Sequence, residues 1–272
     1  SRGVHRQGSM KLRVATYNIH KGVMGLRPKV RIHDVRLALN TIDADIVFLQ
    51  EVQGRHERHA EAHANWPAEP QHEFLAEDVW ANHAYGRNMV YDHGHHGNAV
   101  LARFPILSSH NQDVTRLRFE KRGLLHCTVG VPDLPLPLHC VCAHLSLFGR
   151  SRRHQYEALA EFIEKNVPPA APLIIAGDFN DWRGRACDLL APRLGLKEAF
   201  TNAAARPSRS FPAALPLFRL DRIYVRGLCV EDCAVHHGPP WSSVSDHAAL
   251  SAHLSFVPEA VHRVPETLVA VA

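Results

Sequence analysis

The sequence lacks what a membrane-spanning or disulfide-stapled protein requires. No apolar run approaches the roughly 20 residues needed to cross a bilayer. The residues after Met10 lack the basic, apolar and small-residue succession of a signal peptide. There is no C-x-x-C pair, because the six cysteines are scattered at 127, 140, 142, 187, 229 and 233. Cys140 and Cys142 are two apart on an expected strand and so share a face. Such usage fits buried free thiols in a reducing compartment, and the cytoplasm is the expected location. A strong charge of one sign is missing too. The formal charge of +4 includes Arg2 and Arg6, and removing these two leaves +2. Both lie in Ser1–Ser9, which reads as an expression-vector remnant ahead of Met10. The basic balance is therefore a weak argument for nucleic acid, although Arg150, Arg152 and Arg153 form a local basic spot.

Internal repeats and low-complexity linkers are also missing. A chain of 272 residues that is 46% hydrophobic can bury a large core. One α/β domain is expected over residues 10–258, followed by a tail at 259–272. Hydrophobic patterning predicts strands at 11–18, 45–50, 84–91, 97–102, 106–113, 123–131, 137–143, 173–177, 221–225, 229–236 and 248–255. Helices are expected at about 31–41, 71–80 and 151–166, the last stopped by Pro168-Pro169. Residues 201–219 hold three prolines and read as a long loop. Many strands with few helices imply two sheets packed face to face, with helices on the outsides.

What is present is a set of polar residues at the tips of apolar runs. Asn18 ends LRVATYN, Glu51 ends DIVFLQE and His144 ends LHCVCAH. Asp178 and Asn180 end LIIAGDFN, Asp221 opens DRIYV, and Asp246-His247 precede AALSAHL. If all these tips meet, some strands must run antiparallel, so the sheets are mixed.

These residue types suit phosphate-ester hydrolysis. A phosphodiester repels an attacking oxygen anion, so the reaction needs a cation, a base for water and donors for the developing charge. Glu51 is a hard oxygen ligand for Mg²⁺, and Asn18 can add its amide oxygen. Asp178 can deprotonate water, and Asn180 can orient it. His144 and His247 can donate to the phosphate, with Asp221 as the partner that keeps His247 charged. Each residue also has an ordinary reading: Glu51 as a solvated strand end, Asp178 as turn chemistry, Asp246-His247 as a loop junction, His144 as an interior histidine. Their joint occurrence makes the functional reading.

The joint pattern TYNIH, FLQEV, GNAVLARFP, AHLS, GDFND, LDRIYV and SDHAAL resembles the endonuclease/exonuclease/phosphatase superfamily, from residue 12 to about 254. The resemblance implies a four-layer α/β/β/α sandwich and a divalent metal, Mg²⁺ or alternatively Mn²⁺, on Glu51 and Asn18. It implies that Asp246 approaches a metal and that Asp178, Asn180, His144, Asp221 and His247 act on the phosphate. Asn98 is implied as a substrate contact, Arg152 likewise, with the pair Arg152 and Gln155 on the structural or substrate side. Departures narrow the class. His20 stands where several DNA-repair members carry aspartate, and His144 replaces their tyrosine-bearing loop, which speaks against an abasic-site endonuclease. The aromatic membrane hairpin of secreted sphingomyelinases is not evident in 201–219. The expected activity is phosphodiester hydrolysis by in-line attack of water, on nucleic acid or a phospholipid headgroup. The alternatives are a monoesterase on inositol-phosphate-like substrates and a catalytically idle binding scaffold. A zinc site at His93, His95 and His96 is a further alternative, against an ordinary glycine-flanked turn. Oligomeric state is left open.

Overall fold

The computed structural model describes residues 9–19, 23–24, 29–30, 32–56, 71–76, 79–91, 94–201, 209–213, 218–239 and 241–256. His20, His93 and the 259–272 tail lie outside the described residues, as do the side chains of His95 and His96.

The chain begins with β1 (Met10–Asn18), a short hairpin β2 (Val23–Met24) and β3 (Lys29–Val30), helix α1 (Ile32–Ile42) and β4 (Ile46–His56). Helix α2 (Gln71–Ala76), β5 (Asn82–Tyr91), β6 (Gly94–Ala102), β7 (Ile106–Asp113), β8 (Gly123–Val129) and β9 (Leu138–His144) follow. Then come α3 (Gly149–Asn166), β10 (Leu173–Asp178), α4 (Arg185–Leu194), β11 (Lys197–Glu198), β12 (Asp221–Arg226), β13 (Cys229–His236) and β14 (Ala249–Phe256).

Two six-stranded sheets form, ordered β13-β14-β1-β4-β6-β5 and β11-β12-β10-β9-β8-β7. Each has a parallel pair near its centre, β1 with β4 and β9 with β10, and antiparallel neighbours elsewhere. The sheets are therefore mixed, as expected. Strand alternation sorts the apolar side chains by layer. Leu12, Val14, Phe48, Val100, Cys140, Cys142, Ile174, Ala176, Ile223 and Leu250 fill the space between the sheets. Their neighbours face outwards. Ala15, Tyr17, Val47 and Leu49 meet Val35 and Leu39 of α1 and Leu75 of α2. Val141, Ala143, Leu173 and Ile175 meet Leu159 and Ile163 of α3 and Leu190 of α4. The result is the four-layer α/β/β/α sandwich. Each fully buried Leu, Ile or Phe contributes about 1.5–3 kcal/mol relative to exposure.

The expected elements are present, with shifted ends. Helix α3 starts at Gly149, two residues early, and β4 runs on to His56 through register shifts. Helix α4, β11 and the β2–β3 hairpin were not expected. Helix α4 contains Pro192 and starts behind left-handed Gly184, two features that argue against a helix in sequence. It forms because Asp181 caps it, Oδ1 accepting from Arg185 N at 2.9 Å and Oδ2 from Ala186 N at 2.8 Å. One glycine is required by packing. Gly177 on β10 has φ +149°, and an added Cβ would lie 1.9 Å from the Ala143 carbonyl oxygen on β9.

Candidate active site

The alternation that builds the inner core also builds the site. Along β1 the inward residues are Leu12, Val14 and then Asn18 after Thr16; along β9, Cys140 and Cys142 lead to His144. Along β10, Ile174 and Ala176 lead to Asp178, and along β12, Val225 and Ile223 lead to Asp221. Each polar residue is the last rung of an apolar ladder. Strand register aligns three of them. Asp178 pairs with His144 on one side and with Asp221 on the other.

Asp178 is the hub. Its Oδ2 accepts from Asn18 Nδ2 at 2.9 Å, and its Oδ1 accepts from Asn180 N at 2.9 Å. His144 Nε2 and His247 Nε2 each lie 3.7 Å from Oδ2. His247 Nδ1 is 2.7 Å from Asp221 Oδ2, so its ring is held between two carboxylates. The structure thus gathers Asn18, His144, Asp178, Asn180, Asp221 and His247 into one buried cluster.

Charge in this cluster follows from its neighbours. Burial first, and then the Asp221 charge, push the Asp178 carboxyl up, against lowering by His247 and by the donors Asn180 N and Asn18. Burial on its own pushes His247 down, but the Asp221 and Asp178 charges and the Asp221 hydrogen bond outweigh it and hold the imidazole up, in its charged form.

One donor atom each of Asp178, Asp221 and His247 lies within 4.8 Å of the others, a spacing a cation could fill. His247 Nδ1 is already committed to Asp221, and its Nε2 faces Asp178. The oxygen donors are the fitting ligands. Asn18 donates its Nδ2 to Asp178, and its amide Oδ1 is an oxygen of the type a hard cation takes. Glu51 follows Gln50, the register partner of Asn18, so it lies beside that tip. By alternation Glu51 would face outwards, but the β4–β6 register shifts between Leu49 and Val52, and Glu51 has φ 56°. Holding a non-glycine residue there costs about 1–3 kcal/mol. Two further acceptors, Asp221 Oδ1 and Asn98 Oδ1, are buried with no hydrogen-bond donor among the described residues. An oxygen-rich, mutually repelling set with unspent acceptors fits a hard divalent cation. Asp246 is half-buried, and its charge acts on Tyr17, which points to the outer layer.

The remaining expected residues brace the site. Asn98 Nδ2 donates to the Gly123 and Cys142 carbonyls at 3.0 and 3.2 Å, joining the two sheets. Asn180, with φ 45°, donates from Nδ2 to Leu145 O at 2.8 Å. Arg152 is buried, and its Nη1 donates to Ser146 O at 3.0 Å and Leu147 O at 2.6 Å. It holds the loop after His144, so of its two expected roles these contacts serve the structural one. Gln155 does the same, accepting from Ser146 N and donating to Val114 O.

Sequence reasoning missed several contributors. Ser210 Oγ donates to Asp221 Oδ2 at 2.5 Å. Ser245 Oγ donates to Asn18 O at 2.6 Å and accepts from His247 N at 3.2 Å. Ser245 adjoins Asp246-His247 and so carried a positional signal, whereas Ser210 in a proline-rich loop carried none. Arg222 is buried beside Asp221, donating to its carbonyl at 3.2 Å and lying 4.0 Å from Asp181. Over His247 stands an aromatic wall. Its ring is 5.2 Å from Phe211, and Trp182 lies 6.0 Å from Phe211 and 4.7 Å from Phe218.

The two mixed sheets thus bring carboxylates and histidines together at one end of the sandwich. Residues 15–247 match the Endonuclease/Exonuclease/phosphatase family, and the chain belongs to it. The family hydrolyses phosphoester bonds and depends on divalent metals. The chain is 45% identical over 242 residues to the uncharacterized protein YbhP of Escherichia coli (strain K12), covering 89% of this chain and 95% of that one. Its fold is similar to the endonuclease/exonuclease/phosphatase of Bacteroides vulgatus, with TM-score 0.71, 18% identity, and coverage of 91% of this chain and 100% of that chain. It is also similar to TDP2 from Caenorhabditis elegans, with TM-score 0.65, 18% identity, and coverage of 91% and 75%. Among the described residues no helix is long and apolar enough to cross a membrane.

Proposed function

We propose that the protein is a Mg²⁺-dependent phosphodiesterase, with Mn²⁺ as a substitute, that drives water in line at phosphorus. The observation that carries the reading is Asp178 flanked in register by His144 and by the Asp221–His247 pair. Glu51 and Asn18 would hold the cation, with Asp246 as a further oxygen donor. When bound, the cation supplies positive charge on a phosphoryl oxygen.

The chain's own residues do the rest. Asp178 takes the proton from the attacking water. Its raised affinity for a proton makes it a better base than an ordinary carboxylate. Asn18 and Asn180 N fix its two oxygens, so the carboxyl plane does not turn. His247, kept cationic by Asp221, donates to a phosphoryl oxygen and stabilises the charge developing there. His144 grips the phosphate from the other side of Asp178. The Trp182, Phe211 and Phe218 rings beside His247 suit an organic group on the phosphate, which favours a diester over a small monoester.

The test is hydrolysis of bis-p-nitrophenyl phosphate with Mg²⁺ or Mn²⁺. Asp178→Asn and His247→Ala should each lower kcat by about 10²–10⁴-fold with unchanged circular dichroism. Unchanged turnover in either variant removes this mechanism.

A further inference from the structure

The loop after β7 and the loop after β9 meet beside the site and carry three large apolar side chains in solvent. Phe119 is 70% exposed, Leu147 54% and Phe148 50%. The Phe119 and Phe148 rings meet edge to face at 6.0 Å. Isolated exposed apolar residues are ordinary, but a contiguous group needs a cause.

These side chains are held out by a buried polar frame. Leu147 N donates to Glu120 Oε2 at 3.1 Å, tying one loop to the other. Arg122 pairs with the same Glu120 oxygen at 3.6 Å and donates from Nε to Leu145 O at 3.2 Å. Arg152 and Gln155 clamp Ser146 and Leu147 from below. Phe148 N donates to Ser146 Oγ at 3.1 Å. The loops therefore have little freedom to fold their apolar tips inwards.

The exposed charge within the two loops has one sign. Arg116 and Arg118 are exposed in the first loop, and Arg150 is exposed in the first turn of α3. The carboxylate within the loops, Glu120, is buried and spent on Leu147 N and Arg122. Apolar tips flanked in sequence by exposed arginines match the two layers of an anionic bilayer: the tips reach the acyl boundary, and the guanidinium groups meet headgroup phosphates. Single-stranded nucleic acid would also meet arginine and aromatic rings. It stacks its bases on ring faces, however, and these phenylalanines are paired edge to face beside a leucine, which has no such face.

We propose that this platform docks the protein on an anionic phospholipid surface. The platform begins three residues after His144, so docking brings the cleft to the bilayer. Docking stands on the platform alone. The corollary, that the phosphodiester acted on is a phospholipid headgroup, rests on the hydrolase reading above.

Co-sedimentation of the full chain, without added metal, tests docking separately from catalysis. The probes are vesicles of phosphatidylcholine alone and of phosphatidylcholine mixed equally with phosphatidylglycerol. The expected result is binding to the mixed vesicles that weakens with salt. The double substitution Phe119→Ser, Phe148→Ser should lower partitioning about tenfold or more, and Arg116→Gln with Arg118→Gln should lower it comparably. Circular dichroism and bis-p-nitrophenyl phosphate turnover should stay unchanged in these variants, which keeps a folding defect apart from a docking defect. Absence of binding, or binding unaffected by both double variants, overturns the proposal. Salt-sensitive binding of single-stranded DNA that the same variants abolish, with vesicles ignored, assigns the platform to nucleic acid instead. Docking without turnover of any phosphodiester would refute the hydrolase reading and leave docking standing.

Discussion

His247 and His126 are both packed against the sandwich, and their surroundings push them in opposite directions. His247 lies between Asp221 and Asp178, and its charged form is favoured. His126 sits on the outer face of β8 under Phe162, with its Nε2 2.9 Å from His139 Nδ1. Burial first, then the neighbouring His139 and His110, push it down to about 4. Burial lowers both rings; the partner decides the outcome. Carboxylates make a proton donor at the site, while a second imidazole makes a neutral, shared hydrogen bond within the packing of α3.

The largest test removes the carboxylate that sets this difference. Asp221→Asn keeps an acceptor for His247 Nδ1 but deletes its charge. The His247 pKa, read by imidazole nitrogen NMR, should fall, and Asp178 should fall with it because the Asp221 charge pushes it up. Turnover should drop by about 10²-fold. A His247 pKa left where it was would break the comparison. A smaller effect comes from Ser210→Ala, which strips a donor from the Asp221 carboxylate. Unfolding by urea should show a loss of about 1.5–3 kcal/mol, the range for a hydrogen bond to a charged group, with turnover changed only a few-fold.

The smallest effect lies at the neutral pair. The His126 pKa is about 4 when folded and near 6.5 when unfolded. Between those values the unfolded chain takes up a proton that the folded one rejects. The stabilising contribution is present above pH 6.5, declines as pH falls towards 4, and levels off below. His126→Gln should flatten the melting temperature against pH in that window. An unchanged slope would show that the ring is not held neutral.

Much of the site was legible because its residues obey strand alternation. Asn18, His144, Asp178 and Asp221 each continue an inward apolar ladder, so the pattern that announces the core also announces the polar tip. Glu51 breaks the phase, and its placement depends on a register shift at the end of a regular apolar run. Asn98 and Arg152 were expected on the substrate side, and their bracing contacts were not legible because a side chain that holds a loop and one that holds a ligand can be the same residue type. Helix α4 was hidden by Pro192, whose cost is outweighed locally by the Asp181 cap and the packing of Leu190. The His126–His139 pair carried no signal, since their proximity comes from pairing β8 with β9.

Gly177 sits one residue before the hub, with a neighbouring carbonyl filling the volume where a methyl would go. Position 177 therefore admits one letter of the amino-acid alphabet. The separation of His144 from Asp178 is thus set by backbone against backbone rather than by side-chain packing.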